Sequence, residues 1–371
     1  MSNRRRLFRL LLPLLSAFFA VGLVEVLLIL LYPIPYSLER NMYFEADPYT
    51  GYRHRPLAVG TYPNHVPAKA NSLGFRDAET TLEKPPGTFR ILMLGDSFTV
   101  GANVEQSEAY PQVLERLLDS TSARRIEVIN AGVGGYEPFH YAAFVEHYAD
   151  NFDPDMLLLG FFVGNDTYSS VQSLEQTRTA VLGRRVSRAA GNEGWAVFLK
   201  VWGYENLNVV RALVNHGPIG MDFERSRCDQ FSEVLIAVQK KRMPNHLADA
   251  GAEKRERLMA NIEQLGRIQA FATERNIPFL IVLLPDENQL NPALQALLIP
   301  EAERVKYDFE MPQSTLRTSL DQAGIPYLDL LPDFRADTRC LYMDDAHWIA
   351  AGHALAAERI RDGLVDRKLL P

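Results

Sequence analysis

Five short strand-like runs, at positions 91–94, 126–129, 156–163, 279–284 and 326–330, alternate with stretches of helical spacing. A run such as Ile91-Leu92-Met93-Leu94 has no solvent-facing side, as expected of a parallel strand buried between two helical layers. Helical spacing recurs at 109–118, 138–148, 254–275, 316–322 and 349–365. The alternation predicts an α/β fold with an open parallel sheet covered on both faces. Sheets of this kind bind ligands beyond the carboxyl ends of their strands. Chemistry is therefore expected just after residues 94, 129 and 163 and after the later strands. Residues 167–252 break the rhythm and read as a helical insertion. Residues 33–86, rich in Pro, Gly, Tyr and Asn, read as an irregular segment ahead of the main domain, 87–371.

The N-terminal end is of another kind. Residues 10–32 are almost continuously apolar, interrupted mainly by Pro13, Ser16 and Glu25. About 20 apolar residues cross a hydrocarbon core. Arg4, Arg5, Arg6 and Arg9 precede the run, which predicts a cytoplasmic N-terminus and a translocated remainder. A cleaved signal peptide has a shorter apolar core and a small-x-small site at its end. Leu31-Tyr32-Pro33-Ile34-Pro35 has no such site, so residues 1–32 are expected to be an uncleaved basic tail and transmembrane signal anchor. Glu25 is costly in that setting if ionised and facing lipid; it is either a tolerated passenger or a contact for a second membrane protein.

Hydrophobic residues make up 47% and charged residues 23% of the 371 positions, enough for a packed core without staples. Lys and Arg total 39 against 46 Asp and Glu, a net charge of -7, which argues against a nucleic-acid partner. Two cysteines, Cys228 and Cys340, are too few for a disulfide framework or a four-thiolate zinc site. In an oxidising compartment they either bridge, pinning the insertion beside the C-terminal motif, or stay two separate buried thiols.

Four segments sit where the chemistry is expected. Gly95-Asp96-Ser97 follows the first strand, where a serine is either a helix cap or an exposed hydroxyl beside helix N-terminal amides. Thr99 stands where a Gly-x-Ser-x-Gly elbow has its second glycine, so that motif is absent. Asn130-Ala131-Gly132-Val133-Gly134-Gly135 follows the second strand and lacks the spacing of a dinucleotide loop. Gly164-Asn165-Asp166 follows the third, where an asparagine caps a turn or offers its amide to an oxyanion. Asp344-Asp345-Ala346-His347-Trp348 precedes the closing helix. A carboxylate three residues before a histidine can bend back within one turn and hold its ring in the tautomer a general base needs, so Asp344 is expected to reach His347 while Asp345, two away, points elsewhere. His353 reads as structural, and His140 and His147 lack the Cys or carboxylate partners of a metal site.

Taken in order, these segments resemble the blocks of the SGNH/GDSL hydrolase family: Gly-Asp-Ser, a glycine, Gly-x-Asn-Asp, and Asp-x-x-His. The resemblance covers residues 89–371 apart from the insertion. Asn71-Ser72-Leu73-Gly74-Phe75-Arg76 also resembles a short segment ahead of the first block in membrane-anchored bacterial members. The resemblance implies a flavodoxin-like three-layer fold with a five-stranded parallel sheet, added to the one N-terminal transmembrane helix. It makes Ser97 the nucleophile, His347 the base and Asp344 its orienting carboxylate. The Ser97 and Gly135 amides and the Asn165 side chain would form the oxyanion hole. Neither metal nor organic cofactor is implied. The expected activity is ester hydrolysis through an acyl-serine, on O-acylated carbohydrate at the cell envelope. A polysaccharide O-acyltransferase with the same triad, a lipid esterase and a silent envelope-assembly protein are the alternatives.

Overall fold

The computed structural model describes residues 2–31, 36–37, 44–62, 66–177, 207–209, 231–249 and 251–371. Five parallel strands form the central sheet: β1 (Thr88–Gly95), β2 (Arg125–Asn130), β3 (Met156–Phe162), β4 (Phe279–Leu284) and β5 (Tyr327–Asp329). Their order is β5-β4-β3-β1-β2. This is the flavodoxin-like order, in which the chain reverses direction across the sheet between β1 and β3. The α/β expectation is met strand for strand.

Successive side chains of β1 point to opposite faces and feed two separate cores. Leu92 and Leu94 join one core, and Ile91 and Met93 the other. The first core is closed by α4 (Pro138–Tyr148), α7 (Gly251–Glu274) and α8 (Met311–Ala323), through Tyr141, Leu265, Ile268 and Leu316. The second is closed by α3 (Tyr110–Asp119) and α9 (Ala350–Asp366), through Leu114, Leu118, Ile360 and Leu364. Between α3 and β1 lies the four-residue α2 (Ser97–Val100), and α5 (Val163–Asp166) follows β3 directly. Both short helices start at the sheet's carboxyl edge, where the helices' free N–H groups face the crevice.

The segment expected to be irregular contains short strands. Phe44–Asp47 and Gly51–His54 form an antiparallel hairpin, and Val59–Thr61 pairs with Pro67–Lys69. Strands of three or four residues give too little alternation to be read from sequence. This segment is also wired into the main domain. The Arg76 side chain is fully buried: Nη1 donates to the carbonyls of Val100 (3.1 Å) and Gly101 (2.8 Å), and Nη2 to those of Pro67 (3.1 Å) and Val104 (2.7 Å). Asp77 accepts from the Asn130 amide at 2.8 Å, at the end of β2.

Helix α1 (Ser2–Leu31) carries the apolar run. Among the described residues no helix is long and apolar enough to cross a membrane. Phe18, Phe19, Leu23, Leu30 and Leu31 are all exposed. Glu25 is buried by its own chain. Its Oε1 accepts from the Asn208 backbone (2.7 Å) and side-chain amide (2.9 Å), and its Oε2 from the Val209 backbone (2.8 Å). A carboxylate at a helix start satisfies amides that have no helical partner. Glu25 thus has partners within its own chain, which neither expectation for it named. Of the insertion, 174–177, 207–209 and α6 (Glu233–Arg242) with the turn after it are described.

Replacing Arg76 with methionine keeps much of the volume but leaves several buried carbonyls without a donor, each costing about 1–3 kcal/mol. Urea unfolding of Arg76→Met should therefore show a loss on the order of 3 kcal/mol or more. A midpoint equal to that of the parent chain would show that the buried guanidinium is not what ties the segment down.

Candidate active site

The turn from β1 into α2 is shaped by close approach. A Cβ on Gly95 would lie 1.8 Å from Thr99 Oγ1, and one on Gly160 of β3 would lie 2.2 Å from Tyr110 Oη. Only glycine at both strand ends leaves room for the buried Thr99–Tyr110 hydroxyl pair, 2.6 Å apart. Asp96 caps α2 by accepting from the Phe98 amide at 2.9 Å, which leaves Ser97 as the first helical residue. Ser97 is half-buried, whereas Asp96, Phe98 and Thr99 are buried.

His347 meets Ser97 from the far end of the chain. The Tyr342–Trp348 bridge, with Met343 N–H donating to His347 O at 2.8 Å, makes residues 341–349 a hairpin-like turn. Trp348 is buried against Phe98, Tyr110 and Phe334. Its neighbour therefore points the other way, and His347 Nε2 lies 2.8 Å from Ser97 Oγ.

The carboxylate on the other ring nitrogen is Asp345, whose Oδ2 is 2.9 Å from His347 Nδ1. Asp345 Oδ1 also accepts from the His347 backbone amide at 3.0 Å. The expectation that Asp344 orients the ring is overturned by this geometry. The segment is not helical, so residues three apart are not brought to one side. Ala346 takes a left-handed φ of 67°, which folds the aspartate back onto the amide two residues on, as in an Asx turn. The Asp344 backbone carbonyl accepts from Ser232 Oγ, the cap of α6, at 3.4 Å. Asn103 Nδ2 also donates to Asp345 Oδ2.

Electrostatics follow from these contacts. Burial alone would push Asp345 upward, but the His347 charge, the hydrogen bonds from His347 and the Arg242 guanidinium hold it below its usual value. Burial alone would push His347 down; Asp345 outweighs it, and the imidazole sits above its usual value. Burial pushes Asp96 up to about 6 despite the Phe98 amide, His347 and Arg242 pulling it down.

Asn165 and Gly135 occupy the same edge. Asn165 Nδ2 donates to Asp96 Oδ2 at 3.3 Å, which ties α5 to the start of α2. Asn130 Nδ2 donates to the Thr99 carbonyl at 2.9 Å, and Val133 N–H to the Gly95 carbonyl at 3.0 Å, so the loop after β2 lies along the turn that carries Ser97. Gly135 is exposed, with a φ of 81° that a side chain would strain. Asp166 is buried, accepting from the Phe162 amide (3.1 Å) and Tyr141 Oη (3.0 Å), and serves the turn rather than the chemistry.

Cys340 is disulfide-bonded, and Cys228, the chain's other cysteine, lies outside the described residues. Burial lowers His353 and His140 to about 3, so both are neutral; the first accepts from the Tyr110 amide and the second from that of Glu137. His147 stacks on Tyr49, with ring centroids 3.8 Å apart. Among the described residues no group of three His, Cys, Asp or Glu side chains is placed to hold a metal ion. A cavity of about 220 Å³ between the N-terminal hairpin and α4, lined by Thr50, Arg53, Phe75, Tyr136 and Tyr148, contains no triad residue in its wall.

Asp345, Asn103 and Arg242 are the site residues that sequence reasoning missed. For the first, the short Asp-Ala-His spacing was a usable signal for an Asx turn. For the other two no local signal exists. Arg242, the last residue of α6, lies over the Phe162 ring, 4.9 Å from its centroid, and 3.5 Å from Asp286 Oδ1.

No protein-family model matches the chain, and no curated protein does. Solved structures do. An acetyl xylan esterase, AlAXEase, is similar over 74% of this chain and 100% of its own, with 13% identity and a TM-score of 0.38. A two-domain esterase active on acetylated mannans, crystallised with mannopentaose, is similar over 76% of this chain and 51% of its own, with 15% identity and a TM-score of 0.37. The psychrotrophic esterase EstA from Pseudoalteromonas sp. is similar over 75% of this chain and 98% of its own, with 10% identity and a TM-score of 0.38. Likeness this distant carries no functional weight, which rests on the side-chain geometry.

The carboxylate contact predicts an imidazole that titrates above the usual value of about 6.5. In Asp345→Asn the upward influence is gone, and the His347 resonance should titrate at lower pH. Asp344→Asn should leave it in place. NMR titration of both variants decides the matter, and a shift in the Asp344 variant alone would reinstate that residue.

Proposed function

We propose that the chain is an SGNH/GDSL-type serine ester hydrolase. The observation that carries this is the continuous Ser97–His347–Asp345 relay, with 2.8 Å and 2.9 Å contacts, at the carboxyl edge of a parallel sheet. In this reading Asp345 accepts a hydrogen bond from Nδ1–H, which fixes the tautomer and leaves Nε2 free to take the Ser97 proton as Oγ attacks the ester carbonyl. The imidazolium is stabilised by Asp345 and returns the proton to the departing alcohol. Water then repeats the sequence on the acyl-serine. The Ser97 and Gly135 amides and the Asn165 amide are the oxyanion donors. The Asn165 side-chain nitrogen carries two protons, so its bond to Asp96 still leaves one for an oxyanion.

The substrate class in this reading is O-acylated carbohydrate at the cell envelope, reached by a catalytic domain held outside the cytoplasm by α1. Four arginines ahead of a long apolar run, and the exposed apolar side chains along α1, support an N-in anchor. A reporter fused to the C-terminus should be active only outside the cytoplasm; activity only inside would remove the anchor from the reading.

Ser97 should be labelled by a fluorophosphonate probe and Ser97→Ala should not. Turnover of an aryl acetate should fall by on the order of 10⁶ in Ser97→Ala if the three residues act as a unit. Asp345→Asn should lose about 10⁴ and Asn165→Ala about 10²–10³. Full turnover in Ser97→Ala would end the nucleophile assignment. The base must be neutral, so kcat/KM should fall as pH drops through the raised His347 value, with the acid limb above that of free imidazole. In Asp345→Asn the residual activity should keep its acid limb at lower pH. Adding oligosaccharide acceptors to the assay separates hydrolysis from acyl transfer.

A further inference from the structure

The hairpin ahead of the main domain reaches the loop that carries Gly135. Tyr52 is buried, and its Oη donates to the Gly134 carbonyl at 3.2 Å. The Gly134 carbonyl and the Gly135 N–H are the two ends of one planar peptide unit. Whatever fixes the carbonyl therefore fixes the direction of the N–H. The same hydroxyl lies 3.1 Å from where a Cβ on Gly135 would be, so it sits directly against that residue. The contact is reciprocated, because Tyr136 of the loop donates from Oη to the Tyr52 carbonyl at 2.7 Å. The Tyr52 ring is held edge-on by Phe44, Tyr136 and His140, with centroids 5.3–5.6 Å away.

We propose that Tyr52 is a positioning residue for the oxyanion hole. Its hydroxyl pins the Gly134–Gly135 peptide and keeps the Gly135 N–H aimed at the oxyanion formed on the Ser97 adduct. Two successive glycines have little steric preference of their own, so an unpinned peptide at this position can rotate its N–H away. A donor on the carbonyl also draws electron density along the amide and strengthens its N–H as a donor. The N-terminal segment is then part of the catalytic apparatus rather than a tether. This inference rests on Gly135 being an oxyanion donor.

The test uses full-length Tyr52→Phe, which keeps the ring and its packing, assayed on an aryl acetate and on the matching thionoacetate. Sulfur is a poor acceptor for oxyanion-hole donors, so weakening the hole penalises the oxygen ester selectively. Loss of one such donor outright costs about 10²–10³; loosening one should lower kcat on the acetate by about tenfold with KM nearly unchanged. The thionoacetate rate should change far less, so the oxygen-to-sulfur preference shrinks. That preference is a ratio and does not depend on how much of the variant is folded. An equal fall on both esters, or no fall, overturns the proposal. Asn165→Ala run alongside tests the hole itself. If it is crippled while Tyr52→Phe is fully active, only the Tyr52 role fails; if both are fully active, the oxyanion hole fails with it.

Discussion

Close contact between the carboxyl ends of β1 and β3 is the constraint on which the site depends. Gly95 and Gly160 lack the atoms that would fill the space taken by Thr99 and Tyr110. With that space free, α2 can begin immediately after β1, and α5 immediately after β3. The two short helices then deliver Ser97 and Asn165 to one crevice, joined through Asp96. The crevice lies where the chain reverses its course across the sheet, so neighbouring loops diverge and leave room for a ligand.

Around this junction several buried polar side chains are paired across segments far apart in the chain. Arg76 supplies donors to carbonyls of the loop after α2, Asp77 accepts from the end of β2, and Asn130 bridges β2 to α2. Each bond joins segments distant in sequence, and unpaired polar groups at these depths would be costly. The turn that carries Ser97 is thus held from the N-terminal side by the segment that precedes β1.

The insertion contributes from the opposite side. Ser232 at the start of α6 faces the Asp344 carbonyl, and Arg242 at its end places a half-buried guanidinium beside Asp286 and within electrostatic reach of Asp345. The pair Glu25 with Asn208 and Val209 ties another described part of the insertion to α1. The same stretch of chain thus contacts both the proposed anchor helix and the C-terminal turn that presents His347.

What the sequence determined by itself is what local periodicity and block order encode. The five strands, their helices, the positions of Ser97 and Asn165 after strand ends and that of His347 ahead of the closing helix were legible, because buried parallel strands and amphipathic helices leave strong repeating patterns. The short strands before residue 86 were not, since a strand of three residues has no period to detect. Tertiary structure decided that Asp345 rather than Asp344 holds the imidazole, a choice at which the Asp-Ala-His spacing only hinted. Both aspartates are near enough in sequence, and the choice is made by the left-handed Ala346 and by Trp348 locking into the core, which together set the direction of each side chain. Tyr52, Arg76 and Arg242 were invisible for the same physical reason. Their partners are brought to them by the packing of segments far apart along the chain, and no local pattern records that.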